Sequence, residues 1–173
     1  MSNVAREVIW PTSTDVLVRF VFLYVGQGDS TIVLVRSGTT YKTILVDINR
    51  DKEGNGGISV PRLMKDLLAE QSGKLEIFVN THPHNDHLDD LEELDKAVDI
   101  HEVWHSGHVP GKEHRASYDV LQQVIKRVKE NHGDSAETEL SGSRSATAIG
   151  DAEYYVLAPA EHEKAELEAE SDE

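Results

Sequence analysis

The chain contains no cysteine among its 173 residues. That removes disulfide stapling and thiolate metal sites, so any metal must be held by imidazole and carboxylate. Long apolar runs are missing too. The most hydrophobic stretch, VLVRFVFLYV (16–25), is broken by Arg19, falls far short of the roughly 20 residues of a membrane span, and reads as a strand. The N-terminal MSNVAREVIWPTSTD has no basic segment leading into an apolar core and a small-residue cleavage site. No secretory signal is visible, and the cytoplasm is the expected compartment, with no membrane partner. Positive charge is scarce: 17 Lys and Arg stand against 32 Asp and Glu, a formal net charge of −15. Part of this is local, because the final EHEKAELEAESDE holds seven acids and one lysine. The body stays acidic without it, which argues against passive tight binding of phosphate backbones. An enzyme with a local metal-containing groove remains compatible with such a substrate.

What is present is histidine, nine in all, within a chain long enough for one globular domain. VLVRFVFLYVG (16–26), the turn GQGD and STIVLVRSG (30–38) form a hairpin signature, and YKTILVDI (41–48) adds a third strand, giving an antiparallel meander. NRDKEGNGG (49–57) is a polar loop. VPRLMKDLLAE (60–70) predicts an amphipathic helix with Pro61 near its start and Leu63, Leu67 and Leu68 on one face. KLEIFVNT (74–81) reads as a buried strand. A short helix is expected at 88–98, a strand at 100–107, a second long helix at 116–133 and two late strands in SATAIG and AEYYVLAP. Strand, loop, helix, strand over 41–81 favours a layered α/β arrangement. The domain is expected at 16–159, after an N-terminal extension (1–15) and before an acidic tail or linker (160–173).

The strand at 74–81 delivers THPHNDH (81–87) at its end. In one tight turn, His82, His84, Asp86 and His87 can all face the same open space, and imidazole with carboxylate suits zinc, iron or manganese. Four ligand-type side chains in six residues exceed what one metal takes easily from so short a loop. Two metals fit better, with His82 and His84 on one and Asp86 and His87 on the other. Such a pair lowers the pKa of water and offsets charge on an attacked carbonyl or phosphorus.

HPHNDH matches the His-x-His-x-Asp-His signature of the metallo-β-lactamase fold superfamily, and VGQGDSTIVLV (25–35) and ILVDINR (44–50) stand in the expected order. With the late YYVLAP, these segments resemble the branch typified by the DNA-uptake protein ComEC. The resemblance spans about residues 16 to 159 and implies an αββα sandwich and a dinuclear Zn2+ hydrolase, with Mn2+ or Fe as alternatives, acting on phosphodiesters of nucleic acid or nucleotides. It implies that His82 and His84 bind the first metal. Asp86 and His87 bind the second, with Asp86 the catalytic group that orients the attacking water. Asp47, ending ILVD, either orients the histidine loop by hydrogen bonds or caps the following turn. Asp29 in GQGD either lies near the site or holds the hairpin.

The match departs in places. Asn49 replaces a usual glycine, a mild change because Asn tolerates left-handed backbone. Asp89 and Asp90 replace glycines after the motif and are expected to put negative charge beside the site. The superfamily's later ligands have no clear counterpart: beyond Pro159 stands only the acidic tail with His162. The resemblance therefore implies the N-terminal half to two-thirds of the sandwich, with three alternatives: the chain is an N-terminal fragment or half-domain, a second copy or a partner segment supplies the missing half, or the site is incomplete. In HEVWHSGHVPGKEH (101–114), His105 and His108 are the local candidates for an extra ligand or a substrate phosphate contact. His101 and His132 read as structural or surface residues.

Overall fold

The computed structural model describes residues 2–51, 54, 56–140, 142 and 147–156. The first half of the chain is a local meander. β1 (Val18–Phe22), β2 (Thr31–Ser37) and β3 (Thr40–Val46) pair antiparallel in chain order, with Phe20 opposite Val33 and Val33 opposite Ile44. Their β-branched and aromatic residues suit a pleated, half-buried surface. A two-residue turn joins β2 to β3, with Gly38 at φ +62°. β1 is shorter than the expected 16–26, because residues 23–30 form a longer turn in which Leu23 N–H still bonds the Ser30 carbonyl.

The second half is built from crossovers. α2 (Val60–Leu68), with Pro61 in its first turn, buries Val60, Met64, Leu67 and Leu68. Met64 rather than Leu63 is the fully buried residue of the middle turn. β4 (Lys74–Asn80) then pairs parallel to β3, β5 (Asp99–His105) parallel to β4, and β6 (Glu137–Glu139) parallel to β5. Between β4 and β5 lie α3 (Asn85–Leu88) and α4 (Leu91–Ala97), two helices where one at 88–98 was expected. α5 (Arg115–His132) buries Leu121, Val124, Ile125 and Val128, the i, i+3, i+4, i+7 stripe of a helix lying on a sheet. Each such side chain contributes about 1.5–3 kcal/mol by leaving water, so a charge at Val128 would unseat the helix.

The result is a six-stranded mixed sheet in the order β1-β2-β3-β4-β5-β6. On one face Ile32, Leu34, Leu45, Phe78, Ile100 and Val103 pack against α2, α4 and α5 in the main core. On the other, Val33, Val35, Ile44, Ile77 and Trp104 meet Ile149 of a small second sheet, β7 (Thr147–Ile149) with β8 (Ala152–Tyr154). The expected α/β class is thus observed as helix, sheet and small-sheet layers. Among the described residues this second cover is partial, leaving Phe20 60% and Phe22 80% exposed.

Two elements were not anticipated. α1 (Ser2–Ile9) lies within the segment set apart as an extension, yet Ile9 belongs to the main core. Arg6 pairs with Glu70 and reaches the Leu67 carbonyl, and Trp10 meets the Tyr41 ring edge-on at 5.9 Å. β6 is the other; its sequence, ETE, has no apolar signal. The tail at 160–173, with His162, lies outside the described residues.

Candidate metal centre

β3 and β4 are parallel neighbours, so their C-terminal ends emerge side by side. β3 runs directly into Asp47, whose φ of +54° puts a non-glycine residue in the left-handed region. Its N–H still bonds the Val79 carbonyl of β4 at 2.8 Å. The side chain is 3% exposed and accepts from Thr81 N–H at 2.8 Å, Thr81 Oγ1 at 2.5 Å and Asn80 Nδ2 at 3.2 Å. Its fourth partner is His87 Nδ1, at 2.8 Å. A buried carboxylate this well supplied with donors fixes the imidazole: with Nδ1 engaged, His87 Nε2 is turned towards Asp86, 3.6 Å from its Oδ2. Strained backbone of this kind persists only where the surroundings over-determine it.

The motif itself is not a free loop, because Asn85–Leu88 forms a helical turn that carries Asp86 and His87. The His82 and His87 rings lie 3.8 Å apart, and those of His82 and His84 4.6 Å apart. Ligand atoms of His82, His84 and Asp86 all fall within 4.8 Å of one another. Burial pushes the His82 and His84 pKa values down, helped for His82 by His87 and for His84 by His114. Both are therefore neutral imidazoles with free lone pairs near pH 7, the form that binds metals.

The GQGD turn braces this arrangement from below. Gly28, at φ +138°, lies so close that a Cβ there would sit 2.4 Å from the Asp86 carbonyl oxygen and from Asn49 Nδ2. Buried Asn49 donates to the carbonyls of Gln27 and Val25, and Ile48 N–H donates to the His87 carbonyl at 3.0 Å. The glycine and the asparagine are thus required by close backbone approach.

Asp29 reaches the loop only through its backbone, N–H to the Asp86 carbonyl at 3.4 Å, and its side chain is exposed. His105 is not gathered into the cluster. Its Nε2 faces Glu137 at 3.3 Å and its Nδ1 accepts from Gly107 N–H at 3.1 Å, since β6 stands beside it. His108 is exposed, its ring 6.4 Å from that of His84. Asp89 and Asp90 turn to Arg50, at 3.4 and 3.7 Å, rather than standing open beside the motif. The expected negative fringe is therefore partly neutralised.

His114 was missed in the sequence. Its ring stacks on His84 at 4.1 Å, and its Nδ1 accepts from Asn85 N–H at 3.4 Å. Ser117, one turn along, donates to Asn85 Oδ1 at 2.8 Å. The start of α5 is latched to the motif.

The donor set suits a divalent ion: neutral imidazoles and a half-exposed carboxylate converge, and one imidazole is oriented through its far nitrogen by a buried carboxylate. A protein-family model or a curated protein matching the chain was not found. Solved structures similar to it include a β-lactamase domain protein from Burkholderia ambifaria, at 15% identity over 84% of this chain and 46% of that one, TM-score 0.43. A metallo-β-lactamase from Cronobacter sakazakii, mutated in its HARLDQ motif, shows 19% identity over 78% and 51%, TM-score 0.40. A diphosphatase from the PhnP family shows 17% identity over 80% and 54%, TM-score 0.35. The chain spans about half the length of each. No helix among the described residues is long and apolar enough to cross a membrane.

Proposed function

We propose that the chain is a metal-dependent hydrolase of the metallo-β-lactamase fold, cleaving a phosphodiester bond in nucleic acid or a nucleotide with a metal-activated water. The observation that carries the reading is the Asp47 network: a buried carboxylate fixes His87 while His82, His84 and Asp86 bring ligand atoms within 4.8 Å of one another. His82 and His84 would hold one ion, Asp86 and His87 a second, Zn2+ fitting best and Mn2+ or Fe the same donors. Held by these residues, the ions would supply Lewis acidity, lowering the pKa of water and offsetting charge on phosphoryl oxygens. Asp86, half-exposed where His87 Nε2 faces it, would accept a hydrogen bond from the attacking water. His108, exposed with its ring 6.4 Å from that of His84, would donate to a substrate phosphate oxygen. The acidic surface favours a nucleotide, or a nucleic acid delivered by a partner, over unaided duplex binding. The cytoplasm and the ComEC-like branch belong to the same reading, supported by the sequence segments alone.

The test is metal content per chain together with hydrolysis of bis-(p-nitrophenyl) phosphate, on the intact protein and on H84A/D86A. Bound metal and turnover in the intact protein, with turnover lost and the metal content lowered in the variant, support the reading. Metal-loaded protein without turnover on any phosphodiester overturns it.

The exposed Phe20 and Phe22 favour a second reading: an interaction module completed by another copy or a partner segment over that sheet face. Light scattering on intact protein and on F20S/F22S separates the two: a dimer that the substitutions dissociate supports completion by a second copy.

A further inference from the structure

A second group of imidazoles meets a carboxylate at the opposite end of the sheet. β4 and β5 run parallel, and the motif at 81–87 follows the end of β4. Asp99 and His101 stand at the start of β5, roughly 20 Å away at about 3.3 Å per residue. His132 is the last residue of α5. The His101 and His132 rings stack at 4.2 Å with 24° between their planes, and both aim Nε2 at the same carboxylate. His101 Nε2 lies 3.0 Å from Asp99 Oδ2, and His132 Nε2 lies 3.2 Å from Asp99 Oδ1. We propose that Asp99, His101 and His132 form a Zn2+ site independent of the motif at 81–87, which ties the C-terminus of α5 to the first residues of β5.

Bond lengths of about 2.0–2.1 Å around tetrahedral zinc put neighbouring ligand atoms roughly 3.3 Å apart. The two imidazole Nε2 atoms already stand 3.0 and 3.2 Å from the two oxygens of the one Asp99 carboxylate, close to that spacing. One ligand atom from each of the three residues lies within 4.8 Å of the other two, and the remaining gap closes by small rotations of the partly exposed rings. Two imidazoles and a carboxylate leave a fourth position for water, in the open arrangement zinc accepts.

The surroundings favour a cation. His132 ends an 18-residue helix whose C-terminal carbonyls carry partial negative charge. The nearby cations are engaged elsewhere, Lys129 with Glu137 at 2.6 Å and Lys74 with Glu76 at 2.8 Å. Asp99 is itself anchored, its N–H bonding the Gly73 carbonyl at 2.9 Å. A His–Asp–His hydrogen-bonded cluster without metal would look the same at these distances, so the test uses substitutions that separate the two. Glutamine keeps an N–H to donate to Asp99 but does not ligate zinc.

H84A/D86A is dialysed against Zn2+ as the only added divalent ion, alongside H84A/D86A/H101Q/H132Q. The first should retain one ion per chain and show thermal stability rising with Zn2+ concentration; the second should lose both. Retention of no ion by H84A/D86A, or retention unchanged by H101Q/H132Q, overturns the proposal. Should H84A/D86A fail to fold, H101Q/H132Q in the otherwise intact protein decides. Loss of one equivalent supports the site, and an unchanged count overturns it.

Discussion

At the C-terminal ends of β3 and β4 the histidines lean on Asp47, a buried carboxylate with four donors. At the start of β5, His101 and His132 lean on Asp99, whose side chain is 48% exposed and whose N–H bonds the Gly73 carbonyl. Both clusters use imidazole and carboxylate in similar geometry. They differ in what holds the carboxylate, and so in how much of the fold depends on it. A buried polar network is costly to leave half-satisfied, whereas an exposed one trades its partners for water.

The contrast predicts unequal damage. Asp47→Ala strands the Thr81 and Asn80 donors and His87 in the interior, at about 1–3 kcal/mol for each unsatisfied group. Chemical denaturation should show a loss of about 3–5 kcal/mol, and metal affinity at 81–87 should fall about 10–100-fold. Asp47→Asn, which tolerates the left-handed backbone, should lose less stability; an equal loss would mean that strain, not the carboxylate, dominates.

Gly28→Ala comes next. Its Cβ would meet the Asp86 carbonyl at 2.4 Å, and the backbone shift should cost about 1–3 kcal/mol in a thermal melt. Unchanged stability would show that the turn does not brace the motif.

A smaller effect lies in pH. The lowered pKa values of His82 and His84 mean that the unfolded chain binds more protons than the folded one between the folded pKa and about 6.5. Stability of the metal-free protein is therefore fully present above about 6.5 and declines as pH falls through that window. H84A should flatten part of the decline in denaturation curves across pH; an identical slope would remove His84 from the account. The smallest change is expected from Asp99→Asn, within about 0.5 kcal/mol without metal. A loss above 2 kcal/mol would erase the contrast between the two ends.

Much of this was legible in the sequence. Strand periodicity placed HPHNDH at a strand end, and ILVD put Asp47 beside it, because β3 and β4 carry strong β-branched signals. The start of α5 was visible, but that it brings His114 onto His84 was not, because thirty residues and a crossover intervene. His105 was misjudged for a related reason: the edge strand ETE, with no apolar residue to announce it, supplies the glutamate that claims its ring. Asp89 and Asp90 read as open charge because Arg50 lies across the chain in a polar loop. α1 escaped notice because eight residues with a narrow apolar stripe carry little signal outside the packing that holds them.

The Asp47 to His87 hydrogen bond spans 40 positions and joins two regions with different routes of assembly. β1, β2 and β3 pair through chain-local hairpins, while β4 docks on β3 only after a helical crossover, and such non-local pairings form more slowly. The docking of β4 on β3 is therefore the event that brings the donor set together. During synthesis the chain has no assembled centre until residues through Leu88 have emerged, so an ion captured earlier would meet only isolated imidazoles. Protection of the Thr81 amide against hydrogen exchange would mark the moment at which that seam closes.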